Sequence, residues 1–144
     1  MKRHFLDLLA KLLQVRKDRA AGVYRRTRTE LQRVQGFKDQ LSDYAQEYET
    51  QWTQAARAGD TVQNLQSQMD FGRRWRDTAQ AQEPERQAWN QKAASATQQA
   101  LAESKRLKTV LEFQRRQKIK VQQEQERQNA KDLEDLLQAR QRLR

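Results

Sequence analysis

Apolar side chains recur along the first 55 residues in alternating steps of three and four: Leu6, Leu9, Leu13, Ala20, Val23, Val34, Phe37, Leu41, Tyr44, Tyr48 and Ala55, with polar residues between them. Such steps keep successive positions on one helix face. Sustained over so many turns, they predict a single long helix with a coiled-coil seam. Arg16, Thr27, Glu30 and Gln51 interrupt the stripe, and Leu31 and Trp52 stand beside two of the gaps, so the stripe drifts by a residue.

The pattern stops at Ala58-Gly59-Asp60. Glycine takes the left-handed conformation that ends a helix, and Asp60, with Gln63 three residues later, reads as the capping box of the next. A second stripe runs through Leu65, Met69, Gly72 and Ala79, and Glu83-Pro84 predicts a kink or short break because proline lacks a backbone donor. Beyond it Trp89, Ala93, Ala96, Ala100, Leu107 and Val110 resume the pattern, with Glu103 as a polar interruption. Equal steps back from the turn place Tyr44 opposite Trp75, Tyr48 opposite Phe71, and Gln114 opposite Phe5. The chain beyond Gln114 overhangs, and its last apolar stripe, Leu133, Leu136, Leu137 and Leu143, lacks an intramolecular partner and suggests a site for another protein.

The predicted fold is therefore all-α: a long antiparallel two-helix coiled coil, or helical hairpin, with its turn near Gly59-Asp60, a kink or break near Pro84 and an overhanging C-terminal helix. One elongated domain is expected over residues 1–144, with arm one about 3–58, the turn at 59–60 and arm two about 61–142.

Composition strengthens this picture. Hydrophobic residues make up 35% and charged residues 33%, against about 45–50% and about 25% in ordinary globular domains. A thin helical structure suits so little apolar material. Residues 1–33 carry ten basic and three acidic side chains, residues 115–144 carry nine and five, and the stretch between carries ten and eleven. A hairpin brings the two basic segments together at its open end, which points to an acidic partner there. There is no cysteine, which suits a reducing cytoplasm. Asp7 and Lys11 break up the only stretch that resembles a secretory leader, and no apolar run approaches membrane-span length.

Catalysis finds no support: His4 is the sole histidine, and there is no glycine-rich phosphate loop and no metal-ligand cluster. No enzyme activity, cofactor or metal is expected. The Arg25-Arg26-Thr27-Arg28 run, preceded by Arg16, Lys17 and Arg19, suits either a phosphate grip or an ordinary solvated helix face. The aromatics lie mainly in the neutral segment, away from the basic ends, so nucleic acid is not the expected partner. A basic coiled-coil nucleic-acid-binding or scaffold protein remains the alternative. The leucines between Phe5 and Leu13 suit an interfacial membrane helix, but pairing with Leu107, Val110 and Leu111 explains them more simply.

Leu41-x-x-Tyr44-x-x-Glu47-Tyr48, Gly59, the Phe71 and Trp75 pair, Trp89-x-Gln91-Lys92, Arg106-Leu107 and Gln117 resemble, in order and spacing, the FliJ family of flagellar type III export and its YscO and HrpO relatives in virulence secretion. The likeness covers roughly residues 41–117; Pro84 and the bulk of Trp75 depart from it. It implies a non-enzymatic, chaperone-like protein built like the stalk of a rotary ATPase. Such a protein binds the export ATPase hexamer, promotes its assembly or activity, and links it to the export gate's cytoplasmic domain and to substrate-specific export chaperones. The implied location is cytoplasmic, peripheral at the inner face of the bacterial inner membrane, with membrane association only through the gate; the flagellar branch is favoured over the virulence injectisome. Arg16, Lys17, Arg25, Arg26, Leu133, Leu136, Leu137, Arg140 and Arg142 are the expected ATPase contacts. Phe71 and Trp75, which match the family's apolar face on the second arm, are the expected gate contacts.

Overall fold

The computed structural model describes residues 2–143, so the two ends of the expected 1–144 span lie outside the described residues. Three helices succeed one another: α1 (Lys2–Arg57), α2 (Val62–Ala81) and α3 (Glu83–Arg142), with no strand among the described residues. The described residues are all-α, and the unit Arg19–Ala100 is a helical hairpin. The chain's contacts group into two units, Met1–Asp18 with Leu101–Arg144, and Arg19–Ala100.

The unit Arg19–Ala100 contains the reversal. Gly59 has φ 82°, the amide of Gly59 donates to the Ala56 carbonyl (3.3 Å) and that of Asp60 to the Ala55 carbonyl (3.1 Å), which is the paired closure of a Schellman turn. Because that turn consumes both residues, the next helix is capped one residue later than the sequence suggests. Thr61 is extended, with φ −67° and ψ 149°, and its hydroxyl accepts from the Asn64 amide at 3.3 Å. Asp60 instead accepts from the Thr61 amide (2.8 Å) and from Asn64 Nδ2 (3.2 Å). A capping box of Asp60 with Gln63 is not formed.

The break at Pro84 is a single residue. Gln82 stays in the right-handed region (φ −80°, ψ −15°), its amide donating to Ala79 at 3.2 Å, and Pro84 falls in the first turn of α3, where no amide donor is needed. The inward face therefore runs through it at heptad spacing: Leu65, Gln68, Gly72, Trp75, Ala79, Gln82, Arg86, Trp89, Ala93 and Ala96 are all buried or half-buried.

On α1 the inward face differs from the expected stripe at every second step. Tyr24, Leu31, Lys38, Ala45 and Trp52 turn inward, whereas Val23, Phe37 and Tyr44 are exposed by 45%, 46% and 38%. Two local demands outweigh hydrophobicity here. Ala45 and Tyr48 meet the second arm at Gly72, where an added Cβ would lie 3.3 Å from Tyr48 Cβ, so backbones approach closely. Lys38 is drawn inward by the Glu83 carboxylate, which Arg86 also holds through Nη2 at 2.6 Å. Likewise Gln68, not Met69, occupies the second arm's inward face.

In the other unit, the start of α1 packs on Leu101–Gln117 of α3. Leu13, on the expected stripe, and Leu107 are buried there, while Leu12 is 55% exposed. Gln114 Nε2 donates to Asp7 Oδ1 at 2.9 Å. Every residue from Lys118 to Leu143 is exposed.

Candidate functional site

Two surfaces stand out, one in each unit. The first is an aromatic array in Arg19–Ala100. Tyr44 and Trp75 have ring centroids 5.1 Å apart at 54°, Tyr48 and Phe71 are 5.0 Å apart at 55°, and Phe71 meets Trp75 edge-on at 6.1 Å and 72°. These pairings result from equal steps back from the Gly59 turn, and their tilted geometry suits the ring quadrupoles. Gln40 Nε2 donates to the Tyr44 hydroxyl (3.0 Å), and Arg76 spans to Glu49 at 2.8 Å.

The roles within the array differ from what the stripe suggested. Trp75, expected beside the inward face, lies on it, half-buried with its indole Nε1 buried and unpartnered. Phe71 is 44% exposed and, with Tyr44, offers the reachable edge. Beside them is a cavity of about 130 Å³ lined by Tyr48, Trp52, Gln68 and Gly72, and into this region fall the buried, unpartnered Trp52 Nε1 and Gln68 Oε1. Periodicity missed this feature because it had assigned both inward positions to neighbouring residues.

The second surface is in Met1–Asp18 with Leu101–Arg144. Leu133, Leu136 and Leu137 are 59%, 68% and 52% exposed. Arg140 and Arg142 are exposed in the last turn of α3, where the helix dipole favours cations. Of the basic side chains expected to meet a partner, Arg16 is engaged within the chain: it reaches Glu103 Oε1 at 3.2 Å, as does Arg106. Glu103 is 3% exposed, and its second oxygen is buried without a partner. Lys17 is half-buried against a shallow groove that includes Leu107, Leu111 and Glu112. Arg25 and Arg26, on the α1 portion of the other unit, are exposed and make no ion pair among the described residues.

A third ionic cluster, Lys38, Glu83 and Arg86, is invisible to hydrophobic periodicity. Hydrogen bonds from Arg86 and then Lys38 hold the Glu83 carboxyl at about pKa 2, and the same contact raises that of Arg86. The sequence signal for it is the acidic residue before Pro84 together with a lysine on the corrected α1 face. No group of acidic residues and histidines suited to a metal occurs among the described residues, and no described helix is long and apolar enough to cross a membrane. The chemistry on offer is contact: rings, leucines and guanidinium groups presented on rigid helices.

A protein-family model described as Flagellar FliJ protein matches residues 1–143. No curated protein and no solved structure matches the chain significantly.

Proposed function

Because the chain belongs to the FliJ family, whose members are non-catalytic components of flagellar type III export, we propose that it serves as an antiparallel coiled-coil stalk for the export ATPase. In this role it binds the ATPase hexamer, promotes its assembly or activity, and connects it to the export gate and to export chaperones. It works in the cytoplasm at the inner face of the inner membrane and meets the membrane only through the gate. The observation that carries the reading is the exposed stretch from Lys118 to the end of α3 at Arg142, a helix with an apolar stripe and a basic end. Such a segment gains its stability and purpose from a partner.

The ATPase contacts in this reading are Lys17, Arg25, Arg26, Leu133, Leu136, Leu137, Arg140 and Arg142. Arg16 contributes charge but is held by Glu103. Phe71 supplies the gate contact directly, and Trp75 supports it from within the hairpin. Pull-down of the purified ATPase by the chain tests the first surface. The double charge reversals Arg25→Glu/Arg26→Glu and Arg140→Glu/Arg142→Glu should each weaken capture with helix content unchanged; undiminished capture by both would overturn the assignment.

A further inference from the structure

In the unit formed by Met1–Asp18 and Leu101–Arg144, the seam between the two helices opens at one end. Leu6 of α1 is half-buried, but the inward line of α3 changes beside it from Leu107 and Val110 to Gln114 and Gln117, followed by an exposed Val121. A glutamine amide seeks a polar partner and does not fill an apolar seam. Gln114 finds one, donating to Asp7 Oδ1 at 2.9 Å. A cleft of about 220 Å³ remains, with a lining that includes Arg3, Leu6, Asp7, Gln117, Lys118 and Val121.

Leu6, Val121 and the methylene stems of the longer side chains make most of this lining apolar. Its charge is mostly positive. Arg3 and Lys118 are exposed, and neither makes an ion pair among the described residues. Arg115, three residues before Lys118, stands on the same side of α3. Arg116 and Lys120 add to the field, and no acidic residue occurs between Glu112 and Glu124. Asp7 is the one acid in the lining, with an oxygen already engaged by Gln114. The cleft therefore combines an apolar surface with unpaired cations.

We propose that this cleft binds an acidic segment of a partner protein, with one apolar side chain seated against Leu6 and Val121 and flanking carboxylates on Arg3 and Lys118. The volume suits such a side chain, since a cavity of about 150 Å³ holds a benzene ring. Carboxylates match the guanidinium and ammonium groups, and one of them can take the Arg3 fork with two parallel hydrogen bonds. A nucleic-acid strand suits the cleft less well: its phosphates give Leu6 and Val121 nothing to bury, and no aromatic side chain for a base to stack on lines the cleft among the described residues. An acyl chain would lie mostly outside so short a cleft. The inference rests on the ATPase reading above only for the partner's identity, and its test works without the ATPase, so the two can fail separately.

The probe is a capped five-residue peptide, a leucine between two pairs of glutamates, with a second peptide carrying serine in place of leucine. Titrated into the isotopically labelled full chain at about 50 mM salt, where screening is modest, the leucine peptide should saturate with a dissociation constant on the order of 1 mM. The shifted amides should centre on Leu6, Gln117 and Val121. The serine peptide should bind about fivefold more weakly, because it has no apolar group to bury. Val121→Ala should weaken the leucine peptide and leave the serine peptide unchanged, whereas Lys118→Glu should weaken both. Both positions are exposed, so far-ultraviolet circular dichroism should not change. Equal affinity for the two peptides, shifts centred elsewhere, or no saturation by about 10 mM would overturn the proposal. So would co-sedimentation with phosphatidylglycerol vesicles that Val121→Ala abolishes, which would make the occupant a lipid.

Discussion

Glu83 receives Arg86 and Lys38 at once, and its pKa is held at about 2 against an ordinary value of 4.5. A carboxylate depressed in the folded state adds stability above its unfolded pKa and loses it as pH falls through the folded one. The melting temperature is therefore predicted to decline from about pH 4.5 down to about pH 2, and Glu83→Gln should flatten that decline while lowering the melting temperature at neutral pH. Glu103 behaves differently because two arginines share one buried carboxylate. Arg16→Ala leaves Arg106 in place and should cost about 1 kcal/mol by urea denaturation. Removing both should cost about 3 kcal/mol, because a buried carboxylate is then left unpaired. Of these groups the sequence showed Glu103 as a polar interruption but hid its partners. An ion pair across two arms depends on which way each helix faces, and polar side chains carry no periodicity signal to reveal it.

For the elements, the sequence was informative where one physical rule dominates. Gly59 is the chain's only positive-φ residue among those described, and the need for φ > 0 at a helix end made the turn readable. From it came the register, including the Tyr44–Trp75 and Tyr48–Phe71 pairs. The cap is Thr61, one residue beyond the Asp60 that the pattern indicates, because the Schellman closure uses Asp60. Thr61→Ala should accordingly destabilise the hairpin by about 1 kcal/mol, more than Gln63→Ala does, as thermal melts will show. The inward face of α1 was half legible. A stripe stepping three then four and one stepping four then three share every second position, and hydrophobicity favoured Val23, Phe37 and Tyr44, whereas close backbone approach at Gly72 and the Lys38–Glu83 pair selected their neighbours. Burial likewise separates the proposed roles of two aromatic residues on α2. Phe71→Ala should weaken binding to the gate's cytoplasmic domain with little change in melting temperature. Trp75→Ala should lower the melting temperature, with a loss of packing of about 2–3 kcal/mol at most, given that the ring is only half-buried.

For the molecule as a whole, the charge pattern and the exposed end of α3 were evident in the sequence: basic first and last segments, a neutral middle, and leucines with nothing of their own to cover them. Which cations are free was hidden, because that depends on contacts between the arms. Arg16 is committed to Glu103, whereas Arg25, Arg26, Arg140 and Arg142 are presented to solvent. For this member of the FliJ family the proposed target is the export ATPase. The decisive measurement is hydrolysis rate and particle size of the purified export ATPase with and without this chain. The stalk role predicts faster hydrolysis together with a hexamer that co-elutes with the chain, both diminished by Arg140→Glu/Arg142→Glu. An unchanged rate and separate elution would contradict it.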